Sequence, residues 1–344
     1  MMTNLPSLKD AYAKYFKIGA AVSGYHLPLF GDILKEHFNS LTCENAMKPE
    51  PIEPQRGVWN FGEADRILSF AKENGMALRA HAPVWHKQNG LWMFRNAAGE
   101  TASREEILET LQQHMETFGQ RYGEEIYCWD VVNEAVAHFE KDLVLRPSNW
   151  TELVGPDFVA ESFRIAKKCV PDKVQLFYND YNEWMPHKRE KMLKLLRELI
   201  AEGAPIDGFG MQQHLSIYAD MDEIRRSIEA YASLGLRLHV TELDVSLYTV
   251  YETGRPTITD EMLRKQYDMY VELFRIYRQY ADVIDSVTTW GVADSMTWLN
   301  TSAVRIGDRK PETAPGYRMN FPLLFYADHR PRPYTEQIIE DALK

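Results

Sequence analysis

The chain has 344 residues, of which 45% are hydrophobic and 26% charged, as is ordinary for a globular protein with a sizeable core. Its 39 Lys and Arg against 50 Asp and Glu give a formal net charge of −11, which argues against nucleic-acid or anionic-membrane partners, because both recognise clustered basic charge. The three cysteines, Cys43, Cys128 and Cys169, have no CxxC spacing, which argues against a disulfide framework or a zinc site.

Eight short apolar runs alternate along the chain with longer segments of helical periodicity. The predicted strands are Phe16–Val22, Phe38–Cys43, Met76–Ala80, Ile126–Val132, Val174–Tyr178, Ile206–Met211, Leu236–Val240 and Val283–Trp290. The predicted helices include Arg104–Tyr122, Pro156–Lys168, His187–Glu202, Met221–Leu234 and Asp260–Tyr280. This alternation is typical of parallel βαβ units, and eight of them indicate a closed barrel. We therefore expect an α/β protein in which residues 1–344 form a single (β/α)8 TIM barrel domain.

Polar residues follow directly after most of these apolar runs. They form the segments Glu44-Asn45-Ala46-Met47-Lys48, His81-Ala82-Pro83-Val84-Trp85-His86, Asn133-Glu134, Asn179-Asp180-Tyr181-Asn182, Gln212-Gln213-His214, Glu242-Leu243-Asp244 and Trp290-Gly291-Val292-Ala293-Asp294. A barrel brings the carboxyl ends of all its strands to one rim, where barrel enzymes build their active sites. One such segment is explained by helix capping, but seven on one face indicate a functional site.

Two glutamates stand at strand ends that can face each other across the barrel mouth. Glu134 ends the fourth predicted strand and Glu242 the seventh. Glycoside hydrolysis requires two carboxyl groups, one protonated to donate to the leaving oxygen and one ionised to attack the sugar. For any two glutamates at a barrel rim, the alternative interpretation is that they form structural ion pairs. The position of Asn133 directly before Glu134 favours the catalytic interpretation instead.

The sequence resembles glycoside hydrolase family 10, the β-1,4-xylanases. The resemblance rests on seven segments in family order that span nearly the whole chain: FNSLTCENAMKPE, RAHAPVWH, WDVVNEA, YNDYN, GFGMQQHL, VTELD and TTWGVADSMTWL. It implies that Glu134 is the general acid/base and Glu242 the nucleophile. It also implies a retaining mechanism, with the two carboxyl groups about 5–5.5 Å apart and a covalent glycosyl-enzyme.

The resemblance implies roles for further residues around the two glutamates. Asn133 would bind the 2-hydroxyl of the reacting sugar, and His214 with Asp244 would hold the nucleophile in its ionised form. The predicted substrate-binding residues are Glu44, Asn45, Lys48, His81, Trp85, Tyr181, Gln212, Trp290 and Trp298. By the same resemblance, Glu44 and Asn45 would belong to the next subsite outward, where the family recognises xylose. The pKa of the acid is expected to be raised by burial and by its negative neighbour.

Neither a metal nor another cofactor is expected, because the histidines lack an HExxH or similar spacing and hydroxyl recognition accounts for them. Alternative functions are a β-1,4-glucanase or mixed-specificity glycosidase, a non-catalytic carbohydrate-binding barrel and a metal-dependent sugar isomerase. The Glu44-Asn45-Lys48 cluster favours xylose, since the hydroxymethyl group of glucose would clash there.

Two segments depart from the family pattern or lie outside the family motifs. The third strand reads HAPVWH where the family shows HTLVWH, and we expect Pro83 to leave His81 in place. The loop at 246–262 has no assigned role. The N-terminus has no basic stretch followed by an apolar segment, which predicts a cytoplasmic enzyme acting on xylo-oligosaccharides or xylan fragments. The sequence gives no oligomeric state.

Overall fold

A closed ring of parallel strands forms the centre of the protein. The computed structural model describes residues 5–249, 257–301 and 319–344. Its strands are β1 (Lys17–Val22), β2 (Ser40–Cys43), β3 (Ala77–Val84), β4 (Ile126–Asn133), β5 (Gln175–Asp180), β6 (Gly208–Met211), β7 (His214–Ser216), β8 (Arg237–Ser246) and β9 (Ile284–Thr289). Nearly every strand residue is buried, as expected for strands covered on both faces.

The ring contains eight of these strands, in the order β1-β2-β3-β4-β5-β6-β8-β9, and closes through β9 and β1. All pairings are parallel, and β6 pairs directly with β8. The short strand β7 lies outside the ring and extends the edge of β8, with His214 opposite Asp244. The predicted (β/α)8 barrel is therefore confirmed, and all eight predicted strands are present. The sequence did not predict β7, because three residues are too few to show a periodic pattern.

Helices surround the barrel and connect successive strands. In the described part of the chain they are α1 (Leu8–Ala11), α2 (His26–His37), α3 (Pro49–Ile52), α4 (Gly62–Glu73), α5 (Arg104–Tyr122), α6 (Phe158–Cys169), α7 (Pro186–Ala201), α8 (Met221–Ala232), α9 (Asp260–Gln279), α10 (Trp298–Thr301) and α11 (Pro333–Leu343). The five predicted helices correspond to α5 to α9 within two residues at each end. None of the helices in the described ranges is long and apolar enough to cross a membrane.

Capping residues explain why α5 matches its prediction so closely. Ser103 accepts a hydrogen bond from the backbone N–H of Glu106, whose side chain accepts one from the backbone N–H of Ser103. This reciprocal arrangement fixes the first turn of a helix, and it is readable in the sequence as Ser-x-x-Glu. Tyr122, buried against the core, ends the helix, and Gly123 follows it.

The loop at 246–262, for which the sequence suggested no role, is only partly described, since residues 250–256 lie outside the described ranges. Its first residues continue β8 and contact the C-terminal part of the chain: the backbone N–H of Leu247 donates to Asn320 Oδ1 at 3.1 Å. This hydrogen bond therefore joins the residues just after β8 to the residues before α11.

Candidate active site

The predicted site residues converge at the carboxyl ends of the strands. Glu134 follows β4 directly, Glu242 lies within β8, and Gln212 follows β6. Asn133 is the last residue of β4, and His214 begins β7. The polar segments read from the sequence thus occupy one rim of the barrel, as the parallel topology requires.

Glu134 has an unusual backbone conformation. Its φ is +56°, in the left-handed region that non-glycine residues rarely adopt, and its N–H donates to the carbonyl oxygen of Asn179 at 2.8 Å. Such strained positions cluster at functional sites. Its side chain is 14% exposed, so a substrate in the cleft can reach the carboxyl group.

Several donors surround the carboxylate of Glu134. Oε1 accepts long hydrogen bonds from Gln212 Nε2 (3.3 Å) and Asn133 Nδ2 (3.4 Å), and Oε2 lies 3.9 Å from Nδ1 of His86. The indole N–H of Trp85 is close enough to favour the charged carboxylate, although it makes no hydrogen bond of normal geometry within the described residues.

These surroundings decide the ionisation of Glu134. Burial raises its pKa, but Trp85, His86 and Gln212 together outweigh burial and hold the pKa below its usual value. The expectation of a raised pKa is therefore wrong for the free protein. The sequence indicated burial and a negative neighbour, but it did not show how many donors the fold would collect around this carboxylate.

Glu242 is buried and has a partner on each oxygen. Oε1 accepts from Asn179 Nδ2 at 2.8 Å, and Oε2 lies 3.1 Å from Nε2 of His214. The other ring nitrogen of His214 lies 2.9 Å from Oδ2 of Asp244, which also accepts from the indole N–H of Trp298 at 2.7 Å. The imidazole therefore bridges two carboxylates.

This bridge fixes the charge of His214. Burial lowers its pKa, but Asp244 and Glu242 outweigh that effect and raise the pKa well above the usual value. At neutral pH the ring is thus an imidazolium that donates to both carboxylates. The bridge thus places a fixed positive charge 3.1 Å from a carboxylate oxygen of Glu242.

A chain of side-chain amides links the two glutamates. Oδ1 of Asn133 accepts from Asn179 Nδ2 and from Gln212 Nε2, each at 3.0 Å. Asn179 continues to Glu242 and Gln212 to Glu134. The two carboxyl groups are therefore connected through the side chains of three buried amides, and glycoside hydrolysis likewise depends on a pair of carboxyl groups.

His81 is held by a buried ion pair between Asp130 and Arg79. Its Nδ1 lies 2.9 Å from Oδ2 of Asp130, and Asp130 accepts two hydrogen bonds from Arg79. All three side chains are at most 2% exposed. Pro83 lies in β3 beyond His81 and does not prevent this contact, in agreement with the expectation from the HAPVWH motif.

Lys48 lies among the carboxylates of the site. Its Nζ donates to Asn45 Oδ1 at 3.0 Å and lies 4.5 Å from the ring centroid of Trp85. Burial lowers the pKa of Lys48, and the nearby carboxylates, first Glu242 and then Glu44, partly offset this. Glu44 itself accepts a hydrogen bond from the hydroxyl of Ser23 at 2.9 Å.

Three predicted tryptophans line this region. The ring of Trp290 stands edge-on to His81 and His214, with centroid distances of 5.5 and 6.3 Å. Trp298 lies 5.0 Å from His214. Trp85 is fixed through its carbonyl oxygen, which accepts from the indole of Trp150 at 2.9 Å.

Tyr181 lies on the side of Glu134. Its hydroxyl accepts a hydrogen bond from Arg146 at 2.8 Å, and Arg146 also donates to Nε2 of His86 at 2.8 Å. Because Arg146 can only donate, Nε2 accepts and the ring proton lies on Nδ1, facing Glu134. Burial and the Arg146 charge lower the pKa of His86 to about 4, so this imidazole is neutral at neutral pH.

Sequence reasoning assigned no role to four residues that contact Glu134, Glu242 or their immediate partners. Asn179 and His86 stand in the motifs YNDYN and VWH, so their positions were visible although their contacts were not. Thr241 donates to Asn179 Oδ1 at 2.7 Å. Arg146 lies in a long loop and has no motif that could have identified it.

No group of three or more His, Cys, Asp or Glu side chains suited to a metal ion occurs within residues 5–249, 257–301 and 319–344. The candidate site is instead built from two glutamates, bridging amides, one imidazolium and aromatic walls, which suits binding and cleavage of an uncharged sugar chain.

Comparison of this chain with known proteins supports the resemblance seen in its sequence. The sequence profile of glycosyl hydrolase family 10 matches residues 7–341. Endo-1,4-beta-xylanase B from Paenibacillus barcinonensis is 44% identical over 343 residues, covering 98% of this chain and 99% of that protein. An endo-1,4-beta-xylanase from Geobacillus stearothermophilus is 41% identical, with the same coverage of 98% and 99%.

Solved structures agree with the sequence comparison. A xylanase from Paenibacillus barcinonensis complexed with a conduramine derivative has a TM-score of 0.90 and 43% identity, covering 98% of this chain and 99% of that one. A mutant protein in complex with xylotriose has a TM-score of 0.89 and 42% identity, covering 97% and 99%. With its motifs, barrel and paired glutamates, the chain belongs to glycosyl hydrolase family 10.

Proposed function

We propose that this protein is a retaining endo-β-1,4-xylanase that cleaves internal bonds of xylo-oligosaccharides and xylan fragments. The observation that carries the proposal is the amide chain between Glu134 and Glu242, completed by His214 on the far side of Glu242. The family and the relatives named above support the same activity. Residues 1–344 serve this function as one catalytic domain.

In the first step, a carboxylate oxygen of Glu242 attacks the anomeric carbon while Glu134 donates its proton to the leaving oxygen. The bond from the anomeric carbon to that oxygen breaks, and a covalent glycosyl-enzyme forms on Glu242. The imidazolium of His214 and the amide of Asn179 hold the carboxylate of Glu242 in position before the attack.

In the second step, Glu134 takes a proton from water, and the water oxygen attacks the same carbon. The bond to Glu242 then breaks and the carboxylate is restored. Two inversions give net retention, which requires the two carboxyl groups to lie about 5–5.5 Å apart. Asn133 binds the 2-hydroxyl of the reacting sugar, where a hydrogen bond strengthens in the transition state.

The remaining polar residues bind the sugar rings on the non-leaving side of the bond that is cleaved. His81, fixed by Asp130, presents Nε2 to a hydroxyl, and Lys48 and Gln212 contact the reacting ring. Glu44 and Asn45 bind the next ring outward, where a pentose fits and a hydroxymethyl group clashes. Trp85, Trp290 and Trp298 form the walls of this half of the cleft.

Matched xylo- and cello-oligosaccharides of equal length test the specificity. We expect kcat/KM to be higher for the xylo series by roughly 10- to 200-fold, the range that one extra carbon group in a closed pocket gives. Glu242→Gln should abolish cleavage of both series, which controls for a contaminating enzyme. Equal or better cleavage of cello-oligosaccharides would overturn the substrate assignment, and no cleavage by wild type would overturn the enzyme assignment.

A further inference from the structure

The loop after β4 carries an exposed aromatic ring at the rim of the barrel. Phe139 is 75% exposed, although a phenylalanine has a large apolar surface. Its ring lies edge-on to that of the preceding residue, His138, with a centroid distance of 4.6 Å and an interplanar angle of 71°.

His138 is itself held by three neighbours. Its ring lies 5.7 Å from Tyr181 and 5.4 Å from His187 between centroids, and Nε2 lies 3.5 Å from Asn182 Nδ2. Burial, followed by the charges of Lys188 and His187, lowers the pKa of His138 to about 4. The ring beside Phe139 is therefore neutral at neutral pH, and it can bind an uncharged ligand without burying an unpaired charge.

The ring of His138 is connected to Glu134, the acid/base residue, through Tyr181, Arg146 and His86. Tyr181 accepts from Arg146, which donates to His86, whose Nδ1 lies 3.9 Å from Glu134. β4 and β5 lie opposite β9 and β1 across the eight-membered ring. Phe139 and Tyr181 thus lie across the cleft from Trp290 and Trp298. Since Glu134 protonates the leaving oxygen, this side faces the leaving part of the substrate.

We propose that Phe139, which stands edge-on to His138, is a stacking platform for a xylose ring on the leaving side of the substrate. The first leaving ring lies nearest Tyr181, and Phe139 stacks on a ring farther out along the same chain. The inference rests on the proposed function. A xylose ring presents apolar C–H faces and no charge, so covering the exposed phenyl ring with it removes apolar surface from water. The platform extends the binding cleft outward and favours cleavage of longer chains.

The test compares two substrates that differ only on the leaving side. 4-Nitrophenyl β-xylobioside places one aryl group there, whereas xylohexaose extends several rings outward. We expect Phe139→Ala to lower the ratio of kcat/KM for xylohexaose to kcat/KM for the aryl xylobioside by on the order of tenfold, from the apolar area left uncovered. Phe139→Trp should restore the ratio, because an indole also stacks on a sugar.

Leu143→Ala is the matched control, since Leu143 lies in the same loop and is 45% exposed but aliphatic. It should leave the ratio unchanged. An unchanged ratio in Phe139→Ala, or an equal fall on both substrates, would overturn the platform while leaving the xylanase assignment intact. If wild type cleaves neither substrate, the proposed function fails and the platform fails with it.

Discussion

Asn179 and Glu242 are joined by a hydrogen bond of 2.8 Å from the amide Nδ2 to the carboxylate Oε1. The same nitrogen contacts Asn133 Oδ1 at 3.0 Å, and Thr241 donates to the oxygen of this amide at 2.7 Å. Because Thr241 can donate to the amide oxygen only if the nitrogen faces Glu242, it fixes the orientation of Asn179. Asn179 is therefore the residue that aligns the proposed nucleophile with Asn133.

Replacing Asn179 should affect chemistry more than binding. We expect Asn179→Ala to lower kcat by about 10²- to 10³-fold, the usual loss when one oriented donor is removed from a catalytic site. Steady-state kinetics on xylotetraose would measure kcat and KM separately. A variant with normal kcat and only a raised KM would show that Asn179 binds sugar and does not orient Glu242.

Gly210 offers a second way to displace the same amide. A Cβ atom added at this position would lie 2.3 Å from Oδ1 of Asn179 and 3.0 Å from Cγ2 of Thr241. We expect Gly210→Ala to push Asn179 away from Glu242 and lower kcat by at least about tenfold, as overpacking shifts neighbouring groups. Gly62→Ala is the matched control, because its nearest neighbour there lies at 3.9 Å. Equal kcat values for the two variants would argue against the displacement.

His214 is expected to contribute to both activity and stability. His214→Gln removes the positive charge between Glu242 and Asp244, so we expect kcat to fall by about 10²-fold or more. The unfolding free energy should fall by about 3 kcal/mol, because two buried carboxylates lose their cationic partner. Urea unfolding followed by tryptophan fluorescence measures the second effect.

The pH dependence of this loss has a definite direction. The pKa of His214 is raised in the folded protein, so its stabilisation is complete below about pH 6.5, the usual value for an unfolded chain, and disappears as the pH rises through the higher folded value. The difference between wild type and His214→Gln should therefore be larger at about pH 6 than at high pH. A difference that grows with pH would show that His214 is neutral in the folded protein.

Glu134 should give different pH profiles for the free and the occupied enzyme. In the free protein the surrounding donors hold its pKa below the usual value. A bound sugar places the leaving oxygen against the carboxyl group and excludes water, and both changes favour the protonated form. We expect the alkaline limb of kcat to lie at higher pH than the alkaline limb of kcat/KM, which reports the free enzyme. Coincident limbs would contradict this account.

The sequence predicted the barrel because its strands are nearly continuous apolar runs, and such runs are visible without knowledge of contacts. It predicted the positions of Glu134 and Glu242 because the polar residues directly after buried strands gather at the catalytic rim of a parallel barrel. Helix α5 was predicted to the residue from its helical periodicity, and the structure shows that a capping box at Ser103 and Glu106 fixes its first turn.

The parts that escaped prediction depend on contacts between distant segments. Arg146 reaches His86 and Tyr181 from a loop, and no local pattern encodes that geometry. The ionisation of Glu134 was mispredicted for the same reason, since Trp85 and Gln212 come from other strand ends. The charge of His214 also depends on a contact between different strands, because β7 places His214 opposite Asp244 of β8.

The configuration of the first product tests the central claim most directly. Proton NMR of wild type acting on xylotetraose, recorded before mutarotation, should show the β-anomer first, because two displacements through Glu242 retain the configuration. Glu242→Ala should release no product over the same period. If the first product is the α-anomer, a single displacement has occurred and Glu242 is not the nucleophile.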